Sequence, residues 1–290
     1  MRTLRGEPHR FGFFDDGDFD EQQFERRLSE PGFELPLCWY LVRKVQARFF
    51  AGEHEAAIAA FLWAQPLLWT TGAFVEFVEA HLYAALSRAA CCDAASPNER
   101  ERHLEALRAH HEQLAERARH CQENYGNPEL LVGGGIARIG GRTTDAEVLY
   151  EAAIRSARDS AFIHNEALCH EQAARFYLAR GFDDIGLHYM RRARAGYLRW
   201  GADAKVRQLD DTFPALAAGA VQPLPPTGTI AAPVEGLDLG TVIKVSQALS
   251  SEIVLERMPD TLLRIAIEHA GAARRVLGLV RATGHRTVAV

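Results

Sequence analysis

The sequence predicts an all-α fold: tetratricopeptide-like antiparallel helical hairpins stacked as a solenoid, followed by a C-terminal helix. Three observations lead there. A spacing pattern recurs in which a Gly is followed five residues on by a small residue, then four on by a bulky apolar one, then three on by Ala. It reads Gly52, Ala57, Phe61, Ala64; then Gly141, Ala146, Tyr150, Ala153; then Gly181, Gly186, Met190, Ala193. The composition, 48% hydrophobic residues in 290, is enough for a sizeable core. Finally, helical stretches follow one another from about Asp20 to Asp211.

The spacing has a mechanical cause. A Gly stops one helix because it can take positive φ, and a second helix starts after a short turn. The small residue at +5 lets the pair approach closely, while +9 and +12 fill the groove from the same face. Upstream of two copies, the positions at −7 and −4 are Gly134 with Ala137, and Ala174 with Tyr177. The first copy departs, with Val45 and Arg48 there. The copies lie 89 and 40 residues apart, against about 34 in the standard repeat. That predicts longer helices and one degenerate pair over 73–121.

In chain order, Asp20 precedes an amphipathic stretch and predicts a first helix from there. Leu37–Ala51 and Glu53–Gln65, closed by Pro66, form the next pair. Ala73–Ala90 and Pro97–Cys121 follow, with Ser96 before Pro97 as N-cap and first turn. Pro128 is expected to open a helix and Thr144 to cap its partner. Phe162–Arg180 pairs with Asp183–Trp200, and Asp203–Asp211 ends the array. Residues 15–213 thus form the repeat domain, 214–236 a Pro-rich linker, and 237–290 a separate C-terminal segment. Helices are expected over Leu239–Leu249 and Val254–Ala270, then a strand in "RRVLGLV" with no visible partner.

A net charge of −5 gives no nucleic-acid footprint. Five cysteines, an odd number including the adjacent Cys91 and Cys92, do not read as a disulfide framework. A reducing cytoplasm fits, and no apolar run is long enough to span a bilayer.

Chemical motifs are sparse. No Gly-Lys pair exists for a phosphate loop, and "VGGG" at Val132–Gly135 reads as close helix packing. Protein-kinase signatures are missing. His164, Cys169 and His170 are spaced by five and six residues, which miss a common helix face. His111 and Glu112 begin a His-Glu-x-x-His pattern that Ala115 breaks, and His110 and His120 do not repair it. No catalytic residue, metal ligand or cofactor site is therefore assigned. The Arg191, Arg192, Arg194 and Arg199 run is the candidate partner-binding set. The aromatics Trp39, Tyr40, Phe49, Phe50, Trp63 and Trp69 read mainly as packing between hairpins.

Three stretches carry a resemblance: "CWYLVRKVQARFFAGEHEAAIAAFLWAQPLLW", "HNEALCHEQAARFYLARGFDDIGLHYMRRARAGYLRWGADAKVRQLD" and "LDLGTVIKVSQALSSEIVLERMPDTLLRIAIEHAGA". They resemble the central region of large bacterial hybrid signalling proteins, which join a serine/threonine kinase, an AAA-type ATPase, helical repeats, a GAF sensor and a histidine kinase. The similarity runs over about residues 2–280 and fades after Arg275, and it implies that 237–290 hold a signalling helix and a truncated GAF-type start, an incomplete GAF-type module. It implies a non-catalytic interaction and relay segment of a cytoplasmic signalling system, whose partners are proteins and whose C-terminal helix self-associates. The alternative it implies is a fragment of a sensor histidine kinase or serine/threonine kinase lacking its catalytic domains. A small-molecule sensor built on the GAF portion would need more chain than follows Leu237.

Overall fold

The computed structural model describes residues 2–7, 10–16, 18–218, 276–281 and 284–289. The chain divides into two compact units, Met1–Pro223 and Leu224–Val290. The described part of the first is entirely helical, with sequence-adjacent helices packed together. Its elements are α1 (Arg2–Arg5), α2 (Glu21–Leu28), α3 (Glu34–Ala51), α4 (His54–Ala64), a 3-10 helix (Gln65–Thr71), α5 (Val75–Cys91), α6 (Pro97–His120), α7 (Gln122–Ile139), α8 (Thr143–Asp159), α9 (Ile163–Ala179), α10 (Asp183–Trp200), α11 (Asp203–Thr212) and α12 (Ala215–Ala218).

The turns explain the pattern. Gly52, Gly141, Gly181 and Gly201 all take positive φ, between 73° and 85°. Each closes its helix with the same two bonds. Gly181 N–H donates to Leu178 O at 3.0 Å and Phe182 N–H to Tyr177 O at 3.0 Å; Gly201 and Ala202 repeat this on Leu198 O and Tyr197 O. This is the Schellman closure, which satisfies carbonyls that would otherwise be orphaned. Ala161, at φ 56°, closes its helix in the same way: its N–H donates to Arg158 O and the Phe162 N–H to Ala157 O, both at 2.9 Å. Left-handed turns therefore stand at 141, 161, 181 and 201, one every 20 residues. The 40-residue spacing in the sequence is two such steps, and the middle one is hidden because it uses Ala.

Close approach occurs where small residues predict it. Ala57, Ala64, Ala146, Ala153, Ala174, Met190 and Ala193 are fully buried, and Phe61 and Tyr150 nearly so, whereas Tyr177 is half-buried. A Cβ on Gly134 would lie 2.9 Å from the Tyr150 ring, one on Gly186 2.5 Å from Leu178 Cγ, and one on Gly196 2.7 Å from Ala167 Cβ. The "VGGG" stretch is thus a helix contact. The departure in the first copy also has a cause. Arg48 is buried and bonds both carboxylate oxygens of Glu21, at 2.9 and 3.1 Å, with its guanidinium 3.5 Å from the Phe13 ring centroid. The neighbour there is α2 and the segment before it, where a second hairpin would have required a small residue.

Several expectations need correction. Pro128 does not open a helix: α7 begins at Gln122 after a break at Cys121 (φ −152°), and Pro128 lies inside it. Thr144 is not a cap, because Arg142 holds that position. Residues before 15 belong to the helical unit, since α1 packs on α11 and buries Thr3 and Leu4. The unit also runs past 213, with α12 against α10 and α11 and Leu216 buried. In the second unit, β1 (Val276–Arg281) is not alone: it pairs antiparallel with β2 (Gly284–Ala289), Val276 opposite Ala289 and Arg281 opposite Gly284. The expected helices over 239–249 and 254–270 and most of the expected linker lie outside the described residues. Asp20 does cap α2, accepting from Gln23 N–H at 2.8 Å, and Ser96 N–H donates to Glu99 Oε2 at 3.1 Å at the head of α6.

Two substitutions test the turn register. Ala161→Gly relieves left-handed strain at an exposed residue and should raise stability by about 1 kcal/mol. Gly196→Ala should lower it by about 1–3 kcal/mol despite a better helix propensity, because the new methyl meets Ala167. Urea melts reading the opposite order would refute the assignment.

Candidate functional site

One cavity of about 340 Å³ is lined by the C-terminal halves of α3, α5, α7 and α9, together with α11. Phe49 and Phe50 enter from α3, Leu86 and Ala89 from α5, Leu131 and Arg138 from α7, Glu171, Gln172 and Arg175 from α9, and Lys205 and Gln208 from α11. Four helix C-termini converge here, and each carries a partial negative charge. The cations oppose it. Arg138 donates to Ala89 O at 3.1 Å and to Asp93 at 2.7 Å. Lys205 donates to Phe50 O at 3.4 Å, and Gln208 Nε2 to Ala51 O at 3.0 Å. Residues 155 positions or more apart are thereby joined, so the last full helix meets the first hairpin.

The centre of that junction is Glu171. Its Oε1 is 3.0 Å from Lys205 Nζ and 2.8 Å from Arg175 Nη2, and its Oε2 accepts from the Tyr197 hydroxyl at 2.7 Å. Burial alone would push the Glu171 carboxyl up; the Lys205 and Arg175 charges and the Tyr197 bond outweigh it and bring it to about 2. Burial pushes Lys205 below its ordinary value, with Glu171 opposing. Phe50 packs edge-on against Tyr197 at 5.9 Å and tilts toward Trp200 at 5.8 Å.

A second buried polar cluster lies away from the cavity. His81 and His110 face each other with Nδ1 atoms 3.0 Å apart, against Phe61. One ring must donate and the other accept, and burial keeps both neutral near pH 7. Burial pushes His81 down to about 4, helped by Arg117, and pushes His110 down to about 3, helped by His81 and Arg88. His170 is brought by burial to about 4, with Glu166 opposing.

The sequence candidates are placed as follows. Arg194 is not available to a partner: it forms a two-bond pair with Asp210 of α11, at 2.6 and 2.8 Å. Arg191, Arg192 and Arg199 remain exposed, and Arg192 and Arg199 share a helix face. Cys169 is fully buried and its thiol is pushed up by burial. His164 stacks on Trp200, His111 lies 3.3 Å from Glu129, and His120 3.2 Å from Glu116. Among the described residues no three His, Cys, Asp or Glu side chains are placed to share a metal. Phe49 and Phe50 are core and Tyr40 is half-buried, but Trp39, Trp63 and Trp69 are exposed, Trp69 by 75%, with Phe74 edge-on to Trp39 at 5.7 Å. Among the described residues no helix is long and apolar enough to cross a membrane. No protein-family model, curated protein or solved structure matches the chain.

Lys205→Met leaves Glu171 with Arg175 and Tyr197 alone and should cost about 3–5 kcal/mol; adding Glu171→Gln should restore at least half of it. Additive losses in a double-mutant cycle would contradict the pairing.

The histidines set a pH dependence. Their folded values lie below the ordinary value near 6.5, so the folded state binds fewer protons. Stability is complete above about pH 6.5 and falls as pH drops toward 4. At pH 5.5 each neutral buried ring costs about 1.4 kcal/mol, roughly 4 kcal/mol for His81, His110 and His170 together. Glu171 contributes nothing to that window, since its term is lost only between about 4.5 and 2. Melting curves at pH 7.5 and 5.5 should differ strongly, and a His81→Leu/His110→Leu chain should show a flatter profile.

Proposed function

We propose that the chain is a non-catalytic interaction and relay module of a signalling system, built on tetratricopeptide-like repeats. The observation that carries this reading is the run of equal left-handed turns at 141, 161, 181 and 201, the first three joining helices of 17 and 18 residues and the last leading into the 10-residue α11. Regular helical pairs of this kind present continuous surfaces to protein partners. The resemblance to the repeat region of hybrid kinases supplies the setting, in which a sensor or kinase region is the partner and GAF-type sequence follows.

The exposed aromatics near the start of the array give the partner a place to dock. Trp39, Trp63, Trp69 and Phe74, with Leu62 and Val75, are among the exposed large apolar side chains of the described residues. Trp is the residue most enriched among side chains that dominate binding energy. Arg191, Arg192 and Arg199 offer a second, basic contact on α10.

The experiment is in-cell crosslinking in the source organism, comparing the native chain with Trp39→Asp/Trp69→Asp. The native chain should capture a histidine kinase or serine/threonine kinase component that the variant loses. Capture unchanged by the variant, or without any signalling protein, refutes the reading. Incubation with labelled ATP tests the catalytic alternative, and autophosphorylation above background would favour it.

A further inference from the structure

We infer that the cavity at the C-terminal ends of α3, α5, α7 and α9 is a binding site for a small organic monoanion, a carboxylate on an apolar body, gripped by Arg175, Gln172 and His54. This is independent of the protein-partner reading. The body has its place against Phe49, Leu86, Leu131 and Phe176, and about 340 Å³ is at the lower end of small-molecule sites.

The polar groups left over define the head group. Arg175 is half exposed and spends Nε and Nη2 on one oxygen of Glu171, so Nη1 is unspent. Gln172 lines the cavity, and its side-chain amide makes no hydrogen bond. His54 Nδ1 is shielded from solvent and has no partner. An orphaned buried nitrogen is costly, and a ligand that bonds it recovers that cost. Arg175, Gln172 and His54 line the same space, and with His54 in its Nδ1–H tautomer they offer three donors to the two oxygens of a carboxylate.

The charge count selects the sign. Arg138, Arg175 and Lys205 face Glu171 and Asp93, which leaves one net positive charge. The helix-end carbonyls do not reverse it, because Arg138, Lys205 and Gln208 already bond those of α5 and α3. His54 reports the same field: burial lowers its pKa first, and Arg175 and Lys205 lower it further against Glu171 and Glu53. One net charge matches a monoanion better than a phosphate dianion.

Titration calorimetry on the full chain tests this with 3-phenylpropionate, its neutral isostere 3-phenylpropanamide, and inorganic phosphate. The carboxylate should bind one to one with a Kd of about 1 mM or tighter, and the amide about 10-fold or more weaker. Gln172→Glu, which breaks no internal bond, should weaken the carboxylate by about 10-fold or more while leaving the melting temperature unchanged. Arg175→Met should weaken it too. Equal binding of acid and amide, tighter binding of phosphate, full affinity in Gln172→Glu, or no saturation by about 10 mM would each overturn the assignment.

Discussion

The ion pair between Lys205 and Glu171 is the contact on which the rest of the helical unit depends. Consecutive hairpins hold their neighbours by close packing, and α11 must in addition be tied to the end of α3. Lys205 does so by bonding Glu171 of α9 and the Phe50 carbonyl at the end of α3. The pair is desolvated, so each partner is indispensable to the other: a buried charge left alone costs several kcal/mol. Arg175 and Tyr197 fill the remaining lone pairs of Glu171, which is what makes the arrangement tolerable in the core. α1 then lies across α11, so both ends of the unit rest on the same short helix.

Closure creates the cavity and also fixes its chemistry. Helices α3, α5, α7 and α9 all end there, and four partial negative ends would repel one another without the cations placed among them. Arg138, Arg175 and Lys205 meet that need first. What is left after the internal bonds is one net positive charge and a few unspent donors. Any ligand chemistry at this place is a by-product of how the helix ends are neutralised.

Much of the helical framework was legible because its signals are local. Gly52, Gly141 and Gly181 each announce a left-handed turn, and the small residues after them announce close approach. Ala161 broke the pattern: its exposed position tolerates φ 56° without a glycine, so the 20-residue step read as 40. Pro128 misled for a related reason. It usually starts a helix, yet α7 had already begun at Gln122. The partner of β1 was missed because "GHRTVA" is a polar, unremarkable run whose pairing depends on its neighbour. The cavity was illegible for a different reason. Glu171 and Lys205 both lie in the quoted stretch that begins "HNEALCH", but no local rule connects residues 34 positions apart across two helices.

The choice of charges for the closing contact has a further consequence. A helix docked through apolar side chains alone can shift by a turn at modest cost, because one aliphatic contact replaces another. α11 has no such freedom. Moving it by one turn, about 5.4 Å, would strand the Lys205 ammonium and the Glu171 carboxylate and would also uncap Phe50 O and Ala51 O. The network therefore costs stability relative to a well-packed apolar junction but admits a single register. That register sets the distance between α3 and α9, and with it the width of the cavity. The Arg194–Asp210 pair, placed one face round on α10 and α11, holds the same register from outside. Two ion pairs on opposite sides of one short helix thus define where the array closes.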